Sequence, residues 1–176
     1  CRYFISCVQQ RLFVYDRSDV GYRRRLDGAV GMFGLPEKIV IFDTEYTTWE
    51  GAMERKWSGP GEYKEIVEIG AVLVETDNFS EVDTFSAYVK PVKNPKLSEL
   101  FINLTGISQE TVDEKGIAFP EALQRFFSWS GEYDLYCYGH DGEVLEGNAE
   151  LLNTPFLFER PRFHNIKELF KGHGIS

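Results

Sequence analysis

The sequence predicts an α/β fold in which three β-strands precede a set of helices, a fourth strand and a further helix. The apolar run Ile39-Val40-Ile41-Phe42 is typical of a strand buried on both faces. Strand-forming residues recur over 65–75 and 79–89, and Asp77-Asn78 supplies a turn between these segments. Beyond Pro91 the apolar spacing becomes helical. We therefore expect one domain with a mixed sheet and flanking helices.

The helical part of the chain begins with apolar residues spaced i, i+3, i+4 and i+7, which end at Gly106: Leu97, Leu100, Phe101 and Leu104. Ser108 is positioned to cap a short helix containing Val112. An amphipathic helix over 119–127 has Pro120 near its start. A strand is then expected over 133–138, a helix after Asp141, and a short strand and helix start after Pro161.

Residues 1–37 give a weak structural signal, and we expect them to form an N-terminal extension of a domain spanning 38–176. This extension contains six Arg and four acidic residues, a net charge of +2, whereas residues 38–176 contain 13 basic and 24 acidic residues, a net charge of −11. Either a solvated linker or a phosphate-contacting arm is consistent with this pattern. A broad nonspecific coat for nucleic acid is excluded by the overall charge of −9.

Three cysteines, Cys1, Cys7 and Cys137, form no C-x-x-C pair and predict neither a disulfide scaffold nor a zinc ribbon. A reducing, cytoplasmic setting fits them best. No apolar run approaches the length of about 18 residues that a membrane helix needs, and no signal peptide is evident. Because the sequence starts with Cys rather than Met, we expect a fragment.

Asp43 and Glu45 follow the first strand and, being two residues apart, share one face of it. In α/β sheets the carboxyl ends of strands are where ligands bind. Two carboxylates beside a buried strand need compensation, and a hard divalent cation suits an oxygen-only pair. The alternative is a strand end that simply reaches solvent.

Asp141 follows the fourth strand and would also lie at a carboxyl strand end. If that strand is parallel to the first and beside it, three carboxylates converge. Such a cluster fits two Mg²⁺ or Mn²⁺ ions that activate a water and stabilise the leaving oxygen of a phosphodiester. The alternative for Asp141 is a helix N-cap.

These motifs, in this order, resemble the DEDD superfamily of 3′–5′ exonucleases, the DnaQ-like family with the ribonuclease H-like fold. The resemblance covers 38 to about 170, and the Leu104–Ile107 segment is similar to the DEDDh branch that includes ribonuclease T. The matching segments are Ile39-Val40-Ile41-Phe42-Asp43-Thr44-Glu45, Glu65-Ile66-Val67-Glu68-Ile69-Gly70-Ala71-Val72, Leu104-Thr105-Gly106-Ile107 and Tyr138-Gly139-His140-Asp141-Gly142-Glu143-Val144-Leu145.

The resemblance implies roles for individual residues. Asp43 would bind both metals, Glu45 would bind metal and orient the water, and Asp141 would reach the second metal. Thr44 and the segment of Leu104, Thr105, Gly106 and Ile107 would line the terminal nucleotide. The alternative for this segment is ordinary packing with a helix C-cap at Gly106.

One part of the family pattern is missing. The resemblance implies a fourth carboxylate on a late helix, with a His or Tyr a few residues before it, but no Asp follows Asp141. We expect the sequence to be truncated before this third motif and to have little nuclease activity as it stands.

The connection over 46–63 is long and contains Trp49, Arg55, Lys56 and Trp57. It leaves the strand end that carries Asp43, so a flap that stacks bases on Trp49 and contacts phosphate is one interpretation. Tryptophans that seal the domain are the other.

The function predicted from these motifs is 3′–5′ exonucleolytic hydrolysis of single-stranded DNA or RNA to 5′-mononucleotides. An inactive nuclease-fold module that binds nucleic acid or a protein is the main alternative. A hydrolase using Asp43 and Glu45 as an acid/base pair is a weaker one, because carboxylates this close are better placed to share a cation. Family resemblance also allows a homodimer.

Overall fold

A computed structural model describes residues 34–172 of the chain. The strands are β1 (Lys38–Tyr46), β2 (Ile66–Glu75), β3 (Glu81–Tyr88), β4 (Leu135–Cys137) and β5 (Phe163–Asn165). The helices are α1 (Glu99–Thr105), α2 (Gln109–Lys115), α3 (Phe119–Ser130), α4 (Asp141–Leu151) and α5 (Ile166–Gly172), and a 3₁₀ turn covers Arg160–Arg162. The order of elements confirms the predicted α/β class.

The sheet has the order β3-β2-β1-β4-β5. β1 pairs antiparallel with β2, and β2 pairs antiparallel with β3. β4 lies parallel to β1, with Val40 opposite Leu135, and β5 lies parallel to β4. The predicted mixed sheet of three antiparallel strands followed by parallel ones is therefore confirmed, and β1 lies in its centre.

Side-chain alternation along β1 divides the core between the two faces of the sheet. Val40 and Phe42 pack under α3 and α4 with Phe126 and Leu145. Ile39 and Ile41 lie in the cluster on the opposite face: Leu35, Ile39, Ile41, Val72, Val74, Phe79, Tyr136 and Ile166. Since both faces are covered, the run 39–42 is continuously apolar.

A third cluster holds the two short helices against β2 and consists of Val67, Leu97, Phe101, Ile107 and Val112. Ser98 caps α1 by accepting a hydrogen bond from the Phe101 N–H, and Ser108 caps α2 in the same way from Thr111 N–H. α1 ends at Gly106, whose φ of 72° is the left-handed conformation that favours glycine. The predicted Ser108 cap and Gly106 stop are thus confirmed.

Some predicted boundaries were too wide. β3 begins at Glu81 rather than Phe79, because Phe79 has a φ of 53° and turns its ring into the core. β4 is only three residues long. Of the predicted N-terminal extension, only 34–37 falls within the described residues, and Leu35 there is buried. Over 34–172, every helix is too short or too polar to cross a membrane.

Candidate active site

The first part of the site is the carboxyl end of β1, where Asp43 and Glu45 lie on one face and Thr44 on the other. The antiparallel register places Gly70 opposite Asp43 and Glu68 opposite Glu45. Because glycine has no side chain, β2 leaves space beside Asp43. Glu68 is buried and accepts a hydrogen bond from the Ser86 hydroxyl (3.0 Å), so it adds a further carboxylate near this strand end.

Asp141 is the second part of the site and joins the start of α4 to the end of β1. Its side chain is only 8% exposed. The Thr44 backbone N–H donates to Asp141 Oδ1 (3.1 Å), and the Thr44 hydroxyl donates to the same oxygen (2.7 Å). The parallel pairing of β1 with β4 therefore brings Asp141 to the strand end that carries the other two acids.

The electrostatics of the site favour a cation. Burial, followed by the charges of Asp141 and Glu45, raises the pKa of Asp43 to about 8. Burial also raises the pKa of Asp141, although its two hydrogen bonds from Thr44 oppose this change. The pKa of Tyr46 is raised by burial and then by the same carboxylates. A bound cation would relieve this repulsion and keep the acids ionised.

The candidate donors are all carboxylate oxygens, the donor type that a hard divalent ion such as Mg²⁺ or Mn²⁺ prefers. In the part of the chain that the structure describes, no three acidic, His or Cys side chains already surround a single point at metal-ligand distances. One Asp141 oxygen is instead engaged by Thr44. The backbone thus brings the acids together, while the side chains of Asp141 and Glu68 are oriented by hydrogen bonds within the protein.

The predicted nucleotide-lining segment has two different parts. Leu104 is 69% exposed, so its helical spacing with Leu97 and Phe101 does not bring it into the core. Ile107 occupies the core beside Phe101 instead, because the turn at Gly106 brings it back against the sheet. Thr105 fixes this turn: its hydroxyl donates to Phe101 O (2.9 Å) and accepts from Ile107 N–H (3.1 Å).

Thr44 differs from its predicted role in one respect. We expected it to line the terminal nucleotide, but its side chain is buried and its hydroxyl is bound to Asp141. Because the Thr44 hydroxyl donates to Asp141, it is not the group that would donate to a nucleotide in this arrangement.

The connection between β1 and β2 is folded back on the strand end. Trp57 packs edge-on against Tyr46 (5.5 Å between ring centroids) and donates its indole N–H to Thr47 O (3.1 Å). The Lys64 ammonium lies over the Trp57 ring at 4.3 Å. Trp57 thus packs on the strand end, as the second interpretation expects, and both Trp49 and Trp57 are half-buried. Arg55 forms an ion pair with Glu62.

A cavity of about 410 Å³ lies between 62–64 and one side of α4. It starts at His140, next to Asp141, and continues along the helix to Leu151. His140 is exposed, and its Nδ1 lies 3.0 Å from Glu143 Oε2. His140 thus lies in the turn before α4, at one end of this cavity.

Three polar residues that hold the site in place were missed by sequence reasoning. Glu65 is 1% exposed, and its carboxylate accepts the backbone N–H groups of 92–94. Asn148 binds the backbone on both sides of Glu65, at Lys64 O and Ile66 N–H. Asn165 binds Gly139 in the turn before Asp141. Since all three side chains bind backbone groups distant in sequence, no local pattern marks them.

Comparisons with known proteins agree with this geometry. 3'-5' exoribonuclease 1 from Rattus norvegicus is 39% identical over 110 residues, which cover 59% of this chain and 30% of the relative. The 3'-5' exonuclease Snipper from Drosophila melanogaster is 34% identical over 91 residues, covering 52% of this chain and 31% of the relative. The chain thus spans about a third of the length of these curated relatives.

Among solved structures, the nuclease domain of 3'hExo, a DEDDh family member bound to rAMP, has a TM-score of 0.66 and 28% identity, covering 80% of this chain and 72% of that one. A 3'-exonuclease that recognises the 3' end of the histone mRNA stem-loop has a TM-score of 0.63 and 27% identity, covering 80% and 64%. The family model of RNase T type, described as Exonuclease, matches residues 40–145, which include Asp43, Glu45 and Asp141. The chain therefore belongs to this exonuclease family.

Proposed function

We propose that this protein is a metal-dependent 3′–5′ exonuclease that removes nucleotides from the 3′ end of single-stranded RNA or DNA as 5′-monophosphates. The observation that carries the proposal is the contact between Thr44 and Asp141, which places a buried acid from α4 beside Asp43 and Glu45. Family membership supplies the reaction class and its direction. The relatives named as exoribonucleases favour RNA as the substrate.

Asp43, Glu45 and Asp141 are the residues we infer to hold the metal. Exonucleases of the DEDDh family depend on divalent metal ions, and Mg²⁺ or Mn²⁺ fits a two-metal site with these oxygen donors. When bound, these ions supply positive charge that activates the attacking water and stabilises the leaving oxygen. Thr44 keeps Asp141 turned toward the strand end, and Glu45 is positioned to orient the water.

Substrate binding involves the surfaces around these acids. Leu104 offers an exposed apolar side chain next to a turn fixed by Thr105 and Gly106, which suits contact with the sugar and base of the terminal nucleotide. Ile107 supports this turn from the core. Trp49, at the start of the β1–β2 connection, is a stacking surface for a base of the single strand.

In the reaction, water forms a bond to the terminal phosphorus, and the bond from phosphorus to the 3′ oxygen of the preceding nucleotide breaks. That oxygen takes up a proton and becomes the new 3′ hydroxyl of the shortened strand. The released nucleotide keeps the phosphate on its 5′ oxygen.

The first test measures binding. Mn²⁺ should raise the melting temperature of the 176-residue chain, and 5′-AMP should raise it further only when Mn²⁺ is present. Asp43→Ala should abolish both effects, whereas Glu132→Gln, a change of an exposed acid, should leave them unchanged. Binding of 5′-AMP that does not depend on Mn²⁺ would contradict the proposed site.

The second test measures direction and product. A 5′-labelled single-stranded oligonucleotide incubated with excess protein and Mn²⁺ should shorten slowly, one nucleotide at a time, from its 3′ end. EDTA or Asp43→Ala should stop the shortening. Metal-dependent binding with no shortening would instead indicate the alternative function, a nuclease-fold module that binds nucleic acid without cleaving it.

A further inference from the structure

The turn that leads into Asp141 is held from the side by Asn165, the last residue of β5. The Asn165 amide Nδ2 donates to Gly139 O (3.0 Å), and its Oδ1 accepts from Gly139 N–H (3.2 Å). Asn165 is already paired with Cys137 through the backbone. The backbone pairing of β4 with β5 ends at Cys137 and Asn165, and the Asn165 side chain adds two hydrogen bonds to the turn that follows β4.

The turn needs an external support of this kind. Gly139 has a φ of 118°, a conformation that L side chains rarely adopt, so this position of the turn favours glycine and has no side chain of its own to pack. His140 occupies the N-cap position of α4 but makes no side-chain capping hydrogen bond. Fixed contacts near the start of α4 include those of Thr44, which binds Asp141, and of Asn165, which binds Gly139. The Cys137 thiol also lies 4.0 Å from Gly139 O.

We propose that Asn165 is a positioning residue for Asp141, acting through the backbone of Gly139. The inference rests on the proposed function, in which Asp141 is a metal ligand. By fixing both polar backbone groups of Gly139, the amide sets the direction in which the chain enters α4. Asp141 lies two residues later, so a change in this direction moves its carboxylate away from Asp43 and Glu45.

Asn165 also has a purely structural contact. Its Oδ1 accepts a hydrogen bond from Lys167 N–H (3.0 Å), as an N-cap does for α5. The two roles are separable, because capping uses only an acceptor close to the backbone, whereas holding Gly139 needs the full length of the amide and its N–H donor. Serine can replace the first role but is too short for the second.

The experiment compares Asn165→Ser, Asn165→Ala and the exposed control Asn103→Ser by thermal unfolding and by calorimetric titration with Mn²⁺. Both variants should melt lower than the unchanged chain because both lose the two hydrogen bonds to Gly139, but Asn165→Ser should melt higher than Asn165→Ala because serine keeps the N-cap. Both should bind Mn²⁺ about tenfold more weakly, as expected for loss of a group that orients a ligand. The control should behave like the unchanged chain.

The outcomes distinguish the two proposals. Restoration of Mn²⁺ affinity by serine, in parallel with melting temperature, would show that Asn165 acts only as a cap and would overturn the positioning role. If the unchanged chain itself fails to bind Mn²⁺, the proposed function fails and this inference fails with it. If Asn165→Ala does not fold, Asn165→Ser alone decides, since it keeps the cap.

Discussion

Replacing Asp43 with Asn tests whether burial and the neighbouring carboxylates make a charged Asp43 unfavourable at the end of β1. Burial and the neighbouring acids raise the pKa of Asp43 from 3.8 to about 8. Between these two pH values the folded chain keeps a proton that the unfolded chain has released. The free energy of unfolding of the metal-free protein therefore falls as the pH rises through this window, by up to about 1.4 kcal/mol per pH unit.

The size of the effect follows from the same shift. A rise in pKa from 3.8 to about 8 corresponds to at most roughly 6 kcal/mol when the window has been fully crossed, because Asp43 titrates together with the neighbouring acids. Asparagine has no proton to lose, so the stability gained by Asp43→Asn should be small at pH 4 and largest near pH 8. At about 2–4 °C per kcal/mol, the difference in melting temperature should widen by on the order of 10 °C from pH 5 to pH 8.

Thermal unfolding in EDTA at pH 5, 6.5 and 8, followed by circular dichroism, measures this difference. Glu132→Gln removes an exposed carboxylate and serves as the control, for which no pH-dependent gain is expected. A gap between Asp43→Asn and the unchanged chain that stays constant over this pH range would refute the reasoning. Adding Mn²⁺ at pH 8 should stabilise the unchanged chain and leave Asp43→Asn unaffected.

Three further predictions concern residues around the acids. Thr44→Val removes a buried hydroxyl donor to Asp141, so calorimetry should show weaker Mn²⁺ binding and thermal unfolding a loss of about 1–3 kcal/mol. Leu104→Ala should weaken 5′-AMP binding without lowering the melting temperature, whereas the buried neighbour Phe101→Ala should cost about 3–5 kcal/mol in a denaturant titration. Glu65→Ala, which leaves three backbone N–H groups without their carboxylate, should destabilise the fold by about 3 kcal/mol, and Glu65→Gln by less, in the same titration.

Much of the fold was predictable because a buried strand requires apolar residues, and such a run is visible in the sequence. The run 39–42 is apolar at every position because both faces of β1 are covered. Asp43 and Glu45 follow this buried strand, and charged residues are unusual next to such a strand, so they could be singled out. Asp141 could be placed near them from topology alone, because a strand parallel to β1 delivers its carboxyl end to the same edge.

What could not be predicted depends on partners that are distant in the chain. Nothing near Asn165 in sequence indicates that its amide binds Gly139, 26 residues earlier. The exposure of Leu104 was equally hidden, since its spacing fits a core-facing row. Ile107, which follows the turn at Gly106, packs in the core, and Leu104 does not.

The way in which Asp141 is held bears on what this site can bind. Its oxygen receives two neutral donors from Thr44, and the turn before it receives a neutral amide from Asn165. A lysine or arginine in these positions would orient the acid equally well but would also cancel its charge and compete with a cation. Neutral donors fix the direction of the carboxylate and leave its charge in place. The burial and the repulsion that raise the pKa of Asp43 are therefore both retained in the folded protein, and binding of a divalent ion is the step that offsets them.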